Sequence, residues 1–431
     1  MNILVISSYF GPETSVGVLR INAFVKYWSR FGHHIHVVTM PFTGELPSGL
    51  RENPSVTVHQ VSPLLIGRRQ SGGVQGYSKG AKGSLRKTID LQYWIKRKFL
   101  ANYLDPRVLW WPRAARFICK QLISSIKFDF MISTVPSYTA HSAAAAVKFM
   151  NNDILWVADY RDLWSGNPIF PGCTPVRAFE RSHERLVLKQ ADLIVSINEP
   201  LLIELAELHG HGRRYLNVPN GFDDGEVELF GAIDVQRQED ELSIVYAGSI
   251  LPGLQDPSTL LQAFKELSLE GRIRPGDISL RFYGDYAALD SFPLAADPMV
   301  QRFIKRCGKV SRQEILRVQR NADFLLFLGS KPVARNVGST TGVVSGKIFE
   351  YLISGTEVMA VGVTDDMLVA EMLQESEAGT HYGLDTAKLK QRILDALEIG
   401  VAKIEPKMSY LNQFRRSVQA ESLINEVKNL T

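Results

Sequence analysis

Ser345, Gly346, Lys347 and Glu350 lie inside the run GVVSGKIFEYLISG, 342–355, and their types and spacing suit the binding of an anion beside a diol. A small, flexible stretch leads here into a short amphipathic segment read as a helix. The first N–H groups of a helix lack partners within it and its dipole is positive there, so phosphate collects at such ends. Ser345 is expected to cap the helix. Lys347 then adds a cation in the first turn, and Glu350, one turn later, offers a carboxylate to both hydroxyls of a ribose. Phosphate at the cap and sugar at the carboxylate describe a nucleotide site. The same lysine and glutamate, at i and i+3, equally describe a surface ion pair of small energetic value.

A second group of polar residues follows the apolar run 154–158, which reads as a strand. Asp159, Arg161 and Asp162 would then stand at its carboxyl end. An aspartate there could orient or deprotonate an acceptor hydroxyl, and Arg161 could hold an acceptor phosphate. An Arg–Asp pair that only fixes the loop is the other reading. Arg20 either faces the same place or caps its own helix. Other chemistries lack their residues. There is no GxGxxG for a dinucleotide, and the Gly342 to Lys347 spacing is one short of a P-loop, with Ile348 where a hydroxyl would hold Mg²⁺. No HExxH occurs, no Asp-x-Asp follows a strand, and the cysteines have no zinc spacing. The expected chemistry is therefore metal-independent, with no cofactor beyond a co-substrate.

These groups must be positioned by alternating strands and helices. Strands are expected at 3–6, 35–40, 56–61, 130–134, 154–158 and 193–197, with helices such as 19–31, 138–150 and 176–191 between them. Short apolar strands in this alternation argue for a mainly parallel, helix-covered sheet. The pattern breaks after Pro219-Asn220-Gly221-Phe222-Asp223, and acidic 224–241 reads as an interdomain linker. A second series follows. It has strands at 242–247, 280–283, 324–328 and 358–363, Asp256-Pro257 opening one helix, and the capping box Ser311-Arg312-Gln313-Glu314 opening another. The division is 1–223 with a returning helix at 410–431, a linker at 224–241, and 242–409. Two Rossmann-like halves place a ligand cleft at the carboxyl ends of their sheets.

At 431 residues the chain exceeds one ordinary core, and 45% hydrophobic with 22% charged residues is the balance of a soluble globular protein. The start has no signal-peptide features. Three scattered cysteines, Cys119, Cys173 and Cys307, suit reduced thiols in a cytoplasmic setting. The net charge of +4 is unevenly placed: 67–120 carries thirteen Lys/Arg against Asp90 and Asp105. Tyr93, Trp94, Phe99, Trp110 and Trp111 are interleaved with these bases, as at an anionic membrane surface. A basic loop followed by a helix whose aromatics face the core is the alternative. The Gly/Ser/Lys-rich 70–84 is expected to be mobile.

Five segments in order, MNILVISSYFGPETSVGVLR at the start, WVADYRDLW at 156–164, VPNGFD at 218–223, YAGS at 246–249 and SGKIFEYLISG at 345–355, resemble bacterial GT-B glycosyltransferases of family 4. The resemblance covers nearly the whole chain and is strongest to the branch that builds O-antigen, capsule or exopolysaccharide. It implies two Rossmann-like domains facing each other across a cleft, with a C-terminal helix crossing back to the first. It implies transfer of a hexosyl or N-acetylhexosaminyl group, with retention, from a nucleotide-sugar, UDP by default, to a lipid-linked or oligosaccharide acceptor. It also implies a protein associated peripherally with the inner face of the plasma membrane through 67–120, and no nucleic-acid partner. Glu350 matches the second glutamate of the family's E-x7-E motif, the ribose ligand. Gly17 matches the N-terminal glycine loop, Asn220 and Gly221 the hinge-proximal turn, and Gly248, Ser249 and Val310 fall on the donor side. Two departures stand out: Gly342 replaces the first motif glutamate, and 249–253 lacks the family's cations. Lys347, with N–H groups around Gly346, is expected to neutralise the departing diphosphate instead. An epimerase on the same scaffold, or a non-catalytic nucleotide-binding component of a polysaccharide assembly complex, are the alternatives.

Overall fold

Among the described residues the inner strands of each sheet are short, apolar and buried on both faces, the edge strands are more polar and exposed, and the strands within each sheet pair in parallel. Parallel strands need crossover helices on both faces, which is why these runs read as unbroken hydrophobic stretches. The structure, a computed structural model, describes residues 1–12, 16–62, 106–135, 138–167, 173–235, 241–251, 253–330 and 344–430. The chain forms two compact units: Met1–Pro219 with Gln419–Thr431, and Asn220–Arg335 with Ser339–Val418.

The first unit carries β1 (Asn2–Ser7), β2 (His34–Thr39), β3 (Val56–Gln60), β4 (Phe130–Val135), β5 (Leu155–Tyr160), β6 (Leu193–Ser196) and β7 (Tyr215–Asn217). Their order is β3-β2-β1-β4-β5-β6-β7. Alternation divides the core by face. Leu4, Ile6, Met131, Trp156 and Ala158 pack under the helices Pro106–Ser125 and Thr139–Met150, while Ile3, Val5, Phe130, Ile132 and Val157 pack on the other side. That other side is closed by Val16–Arg30 and by the C-terminal helix Arg416–Lys428, whose Ala420, Leu423, Ile424 and Val427 are buried. Trp28 Nε1 donates to the Ala420 carbonyl at 2.9 Å, a buried bond that fixes the returning helix in place.

The second unit carries β8 (Leu242–Ala247), β9 (Ile278–Tyr283), β10 (Ile304–Gly308), β11 (Phe324–Leu328), β12 (Glu357–Val361) and β13 (Gly379–His381), ordered β10-β9-β8-β11-β12-β13. Ile244, Tyr246, Leu280, Phe282 and Met359 face the helices Ser258–Leu269 and Thr386–Ile399. Val245, Leu325, Phe327 and Ala360 face Lys347–Ile353 and Leu368–Ser376.

Four expectations change. The stretch read as a linker contains the helix Asp224–Gly231, opened by a reciprocal cap: the Asp223 carboxylate accepts from the helix's amides, and Glu226 Oε2 accepts the Asp223 N–H at 3.1 Å. Strand β5 runs two residues further than expected, so Asp159 lies within it rather than beyond it. Gly17 sits in the first turn of Val16–Arg30 instead of a loop. The returning helix is broken, because extended Arg415 bridges Phe222 and ends the short turns Met408–Leu411 and Asn412–Phe414 before Arg416–Lys428 begins.

Of the basic stretch, 67–105, including Tyr93, Trp94 and Phe99, lies outside the described residues, as does the glycine-rich 70–84. The following helix divides its aromatics. Trp111 is fully buried, whereas Trp110 and Phe117 are exposed at 49% and 55%. Among the described residues no helix is long and apolar enough to cross a membrane.

Candidate functional site

In an open parallel sheet the strand order reverses at one point, and the loops leaving the strands there separate to form a crevice. In the second unit that point lies between β8 and β11. Their pairing stops at Val245 and Leu325, while β8 stays paired with β9 as far as Ala247 and Tyr283. The N–H of Ala247 therefore has no strand partner on the β11 side, and the Tyr351 hydroxyl accepts it at 2.9 Å. Tyr351 and Lys347 lie one turn apart on Lys347–Ile353, so the bond that docks the helix also sets the lysine at the strand end.

Lys347 Nζ donates to Tyr246 Oη at 2.7 Å and stands 4.0 Å from the centre of the Tyr246 ring. The helix belongs to one face of the sheet and the Tyr246 ring to the other, so the lysine crosses the end of the sheet where β8 and β11 part. Gly248, at φ +116°, allows this approach, since a Cβ there would come within 3.1 Å of Nζ. Gly284 is needed for the same turn: its Cβ would meet the Gly248 carbonyl at 2.8 Å. Burial pushes the Lys347 amine down to about 7, with the charge of Glu350 pulling the other way. Among the described residues no carboxylate forms an ion pair with Lys347.

Glu350 is not open to a ligand on all sides, as the sequence suggested. Gln319 Nε2 donates to Oε1, and Arg312 pairs with Oε2 while also holding Glu226 at 2.6 Å. Ser345 does not cap the helix either. Gly346 occupies that position in helical conformation without a side-chain cap bond, and the Ser345 carbonyl takes the Ile348 N–H at 3.1 Å. One amide expected to face phosphate is thus already bonded. Ser249 is exposed and accepts the Tyr246 hydroxyl through its carbonyl at 2.9 Å. Val310 is exposed beside the Ser311 cap.

In the first unit the reversal lies between β1 and β4. Asp159 is fully buried there, with Arg20 donating at 2.8, 3.2 and 3.3 Å and the Thr134 hydroxyl at 2.8 Å. Arg20 also donates to the Pro219 carbonyl at 2.9 Å. A carboxylate so occupied holds its neighbours in place and is no free base, which corrects the proton-abstracting role read for Asp159. Arg161 and Asp162 pair with each other, partly exposed. Behind them Thr174–Val187 turns Glu180 and Glu184 inward. Glu184 accepts the Tyr160 hydroxyl at 2.8 Å and the Ser165 N–H at 2.9 Å, and Glu180 accepts Trp164 Nε1 at 3.2 Å.

The sequence reading missed Tyr246, Gly284, Tyr351, Gln319 and Glu184. A tyrosine in the YAGS segment was the one available signal for the first. A cavity of about 560 Å³ lies elsewhere in the second unit, lined by Glu241, Arg281, Arg317 and Asp323 among others. Neither Lys347 nor Glu350 lines it, and its charges are of both signs.

No protein-family model matches this chain, and neither does any curated protein sequence. Solved structures do resemble it. A glycosyltransferase from Rickettsia africae ESF-5 has a TM-score of 0.56 at 13% identity, covering 100% of this chain and 98% of that one. A UDP-forming alpha,alpha-trehalose-phosphate synthase from Burkholderia xenovorans, in complex with glucose-6-phosphate, has 0.60 at 13% identity, covering 99% and 100%. The lipopolysaccharide outer core galactosyltransferase WaaB, in its apo form, has 0.56 at 11% identity, covering 100% of both. The fold is GT-B. Identities this low speak for the architecture of the two Rossmann-like units and not for a shared substrate.

Proposed function

We propose that this protein is a glycosyltransferase that moves a sugar from a nucleotide-sugar, a UDP-sugar by default, to a lipid-linked or glycan acceptor in the synthesis of cell-surface polysaccharide. The family 4 likeness and the polysaccharide branch belong to this proposal, as do retention, independence of metal, and a hexosyl or N-acetylhexosaminyl group. The observation that carries it is Lys347, a cation without a described counter-ion, set beside Gly248 where β8 and β11 part. When the bond from the sugar's C1 to the diphosphate breaks, the electron pair moves to the leaving oxygen. Fixed donors aimed at that charge lower the barrier.

Glu350 keeps its ribose role in this reading. An ionised carboxylate offers about four lone-pair sites. Arg312 and Gln319 take two, which orients the group and leaves others for a vicinal diol. In the first unit Arg161 is assigned to an acceptor phosphate, and Asp159 with Asp162 to holding the loop that presents it. Ser249, Gly346 and Val310 stay on the donor path as backbone contacts, and Gly17 keeps its proposed place beside the acceptor in the first unit.

Substrates are found by screening nucleotides for thermal stabilisation, since a bound ligand raises stability according to its affinity. With the pair identified, Lys347→Ala is expected to lower kcat by about 10²–10³, as loss of one fixed donor does elsewhere. Full turnover in that variant refutes the reading.

A further inference from the structure

The group that receives Lys347 is built in on every side. The Tyr246 ring is fully buried and packs 5.6 Å from the Phe282 ring. Its hydroxyl accepts from Lys347 at 2.7 Å and donates to the Ser249 carbonyl at 2.9 Å, with Gln255 Oε1 at 3.3 Å as the other acceptor in reach. Gln255, itself buried, accepts the Leu251 N–H at 3.0 Å and donates to the Leu328 carbonyl at 3.2 Å. A chain of bonds therefore runs from the ammonium through the tyrosine to the backbone of the loop after β8.

A lysine drawn partly out of water, as Lys347 is, ordinarily pairs with a carboxylate or gives up its proton. Here the nearest carboxylate on the same helix, Glu350, is held by Arg312 and Gln319. What holds Nζ is a neutral hydroxyl and the negative face of a ring. A flexible four-carbon stem has many rotamers, and two constraints of this kind select one.

We propose that Tyr246 is a positioning residue of the donor site, fixing Nζ of Lys347 beside Gly248 so that the ammonium meets the diphosphate of a nucleotide without rearranging. The inference rests on the donor role given to Lys347 above. It also makes the site sensitive to protons. The groups facing Lys347 are Tyr246 from β8, Glu350 and Tyr351 from its own helix, and Arg312 with Glu226 through Glu350. Burial raises both tyrosines well out of the neutral range, and arginine stays charged throughout. Lys347, held down to about 7 by burial, is thus the group that changes charge around neutrality. A diphosphate supplies the missing counter-charge, so above that pH its binding draws one proton from solvent onto Nζ.

The test is calorimetric binding of UDP and of inorganic pyrophosphate between about pH 6 and 9 by the whole chain and three variants. In the wild type, affinity should fall as the pH rises past about 7. Tyr246→Phe keeps the ring and removes the acceptor that favours the charged amine. The fall should then begin about one pH unit lower, and both ligands should bind about tenfold more weakly at alkaline pH. Tyr382→Phe removes a hydroxyl beyond the edge strand β13, away from Lys347, so it should leave the fall in place. Lys347→Met should flatten it. Should Tyr246→Phe not fold, wild-type titrations in two buffers of different ionisation enthalpy still decide the matter, since no proton uptake at alkaline pH overturns the proposal. A wild-type pH dependence in folded Tyr246→Phe overturns it too. Failure of both ligands to bind, or wild-type affinity in Lys347→Met, instead refutes the donor role itself.

Discussion

At the scale of the residue, Lys347 and Glu350 share one helix and have opposite fates. Glu350 is tied to Arg312 and Gln319, while among the described residues Lys347 is tied to an aromatic alcohol alone. The lysine's cost to the fold can be read from pH. Its folded value is about 7 against an ordinary 10.5. Between these two values the unfolded chain binds the extra proton, so this group makes stability rise with pH across that window. Urea midpoints taken near the two ends of the window should show that rise in the wild type and a smaller one in Lys347→Met. Gly248 is the other sensitive position. Alanine there meets a strained φ of +116° and a contact of 3.1 Å with Nζ. Gly248→Ala is expected to lose at least about 1 kcal/mol of stability and to weaken UDP binding, both measurable by denaturant titration and calorimetry.

At the scale of the element, the strands were the legible part. β8 and β11 were read with their bounds correct, because an apolar run buried on both faces announces its own length. Boundaries failed where a polar residue continued an element. Asp159 stays in β5 because Arg20, from a distant helix, neutralises it, and no local spacing in the sequence reveals such a partner. The partners of Glu350, Arg312 and Gln319, were hidden for the same reason, since they arrive from a different helix. The helix Asp224–Gly231 was legible and missed, as Asp223 and Glu226 form a capping-box signature. Thr174–Val187 shows what remote pairing does for an element. It buries Glu180 and Glu184 while exposing Phe179 and Leu186, which inverts the usual pattern. Burial opposes ionisation of Glu184, but the neighbouring His209, 3.6 Å away, and the hydrogen bond from the Ser165 N–H prevail and hold it below the usual carboxylate range. That contribution is complete above the ordinary value and is lost as the pH falls through the lowered one. Glu184→Gln leaves the buried Ser165 N–H facing an amide that must turn a donor to one of its partners. It should cost about 1–3 kcal/mol near neutrality and flatten the acid side of the stability profile, both visible in thermal melts.

At the scale of the whole molecule, charge is the property that no single unit explains. The basic excess of 67–120 ends in a helix whose inner face is sealed by Trp111 and Cys119 and whose outer face presents Trp110, Arg113, Arg116, Phe117 and Lys120 to solvent. Arg113 stacks 4.9 Å from the Trp110 ring, which leaves an apolar edge flanked by cations. An anionic bilayer matches both properties, at about 1 kcal/mol for each basic residue near its surface, and a lipid-linked acceptor would be met there. Co-sedimentation should therefore be strong with vesicles containing anionic lipid and weak with neutral ones, and it should decline with added salt as screening grows. The two components separate by substitution. Arg113→Gln with Arg116→Gln should reduce the salt-sensitive part, whereas Trp110→Ala with Phe117→Ala should weaken binding that persists at high salt. Equal binding to neutral and anionic vesicles would leave the charge asymmetry without this role, and the acceptor would then have to reach the first unit from solution.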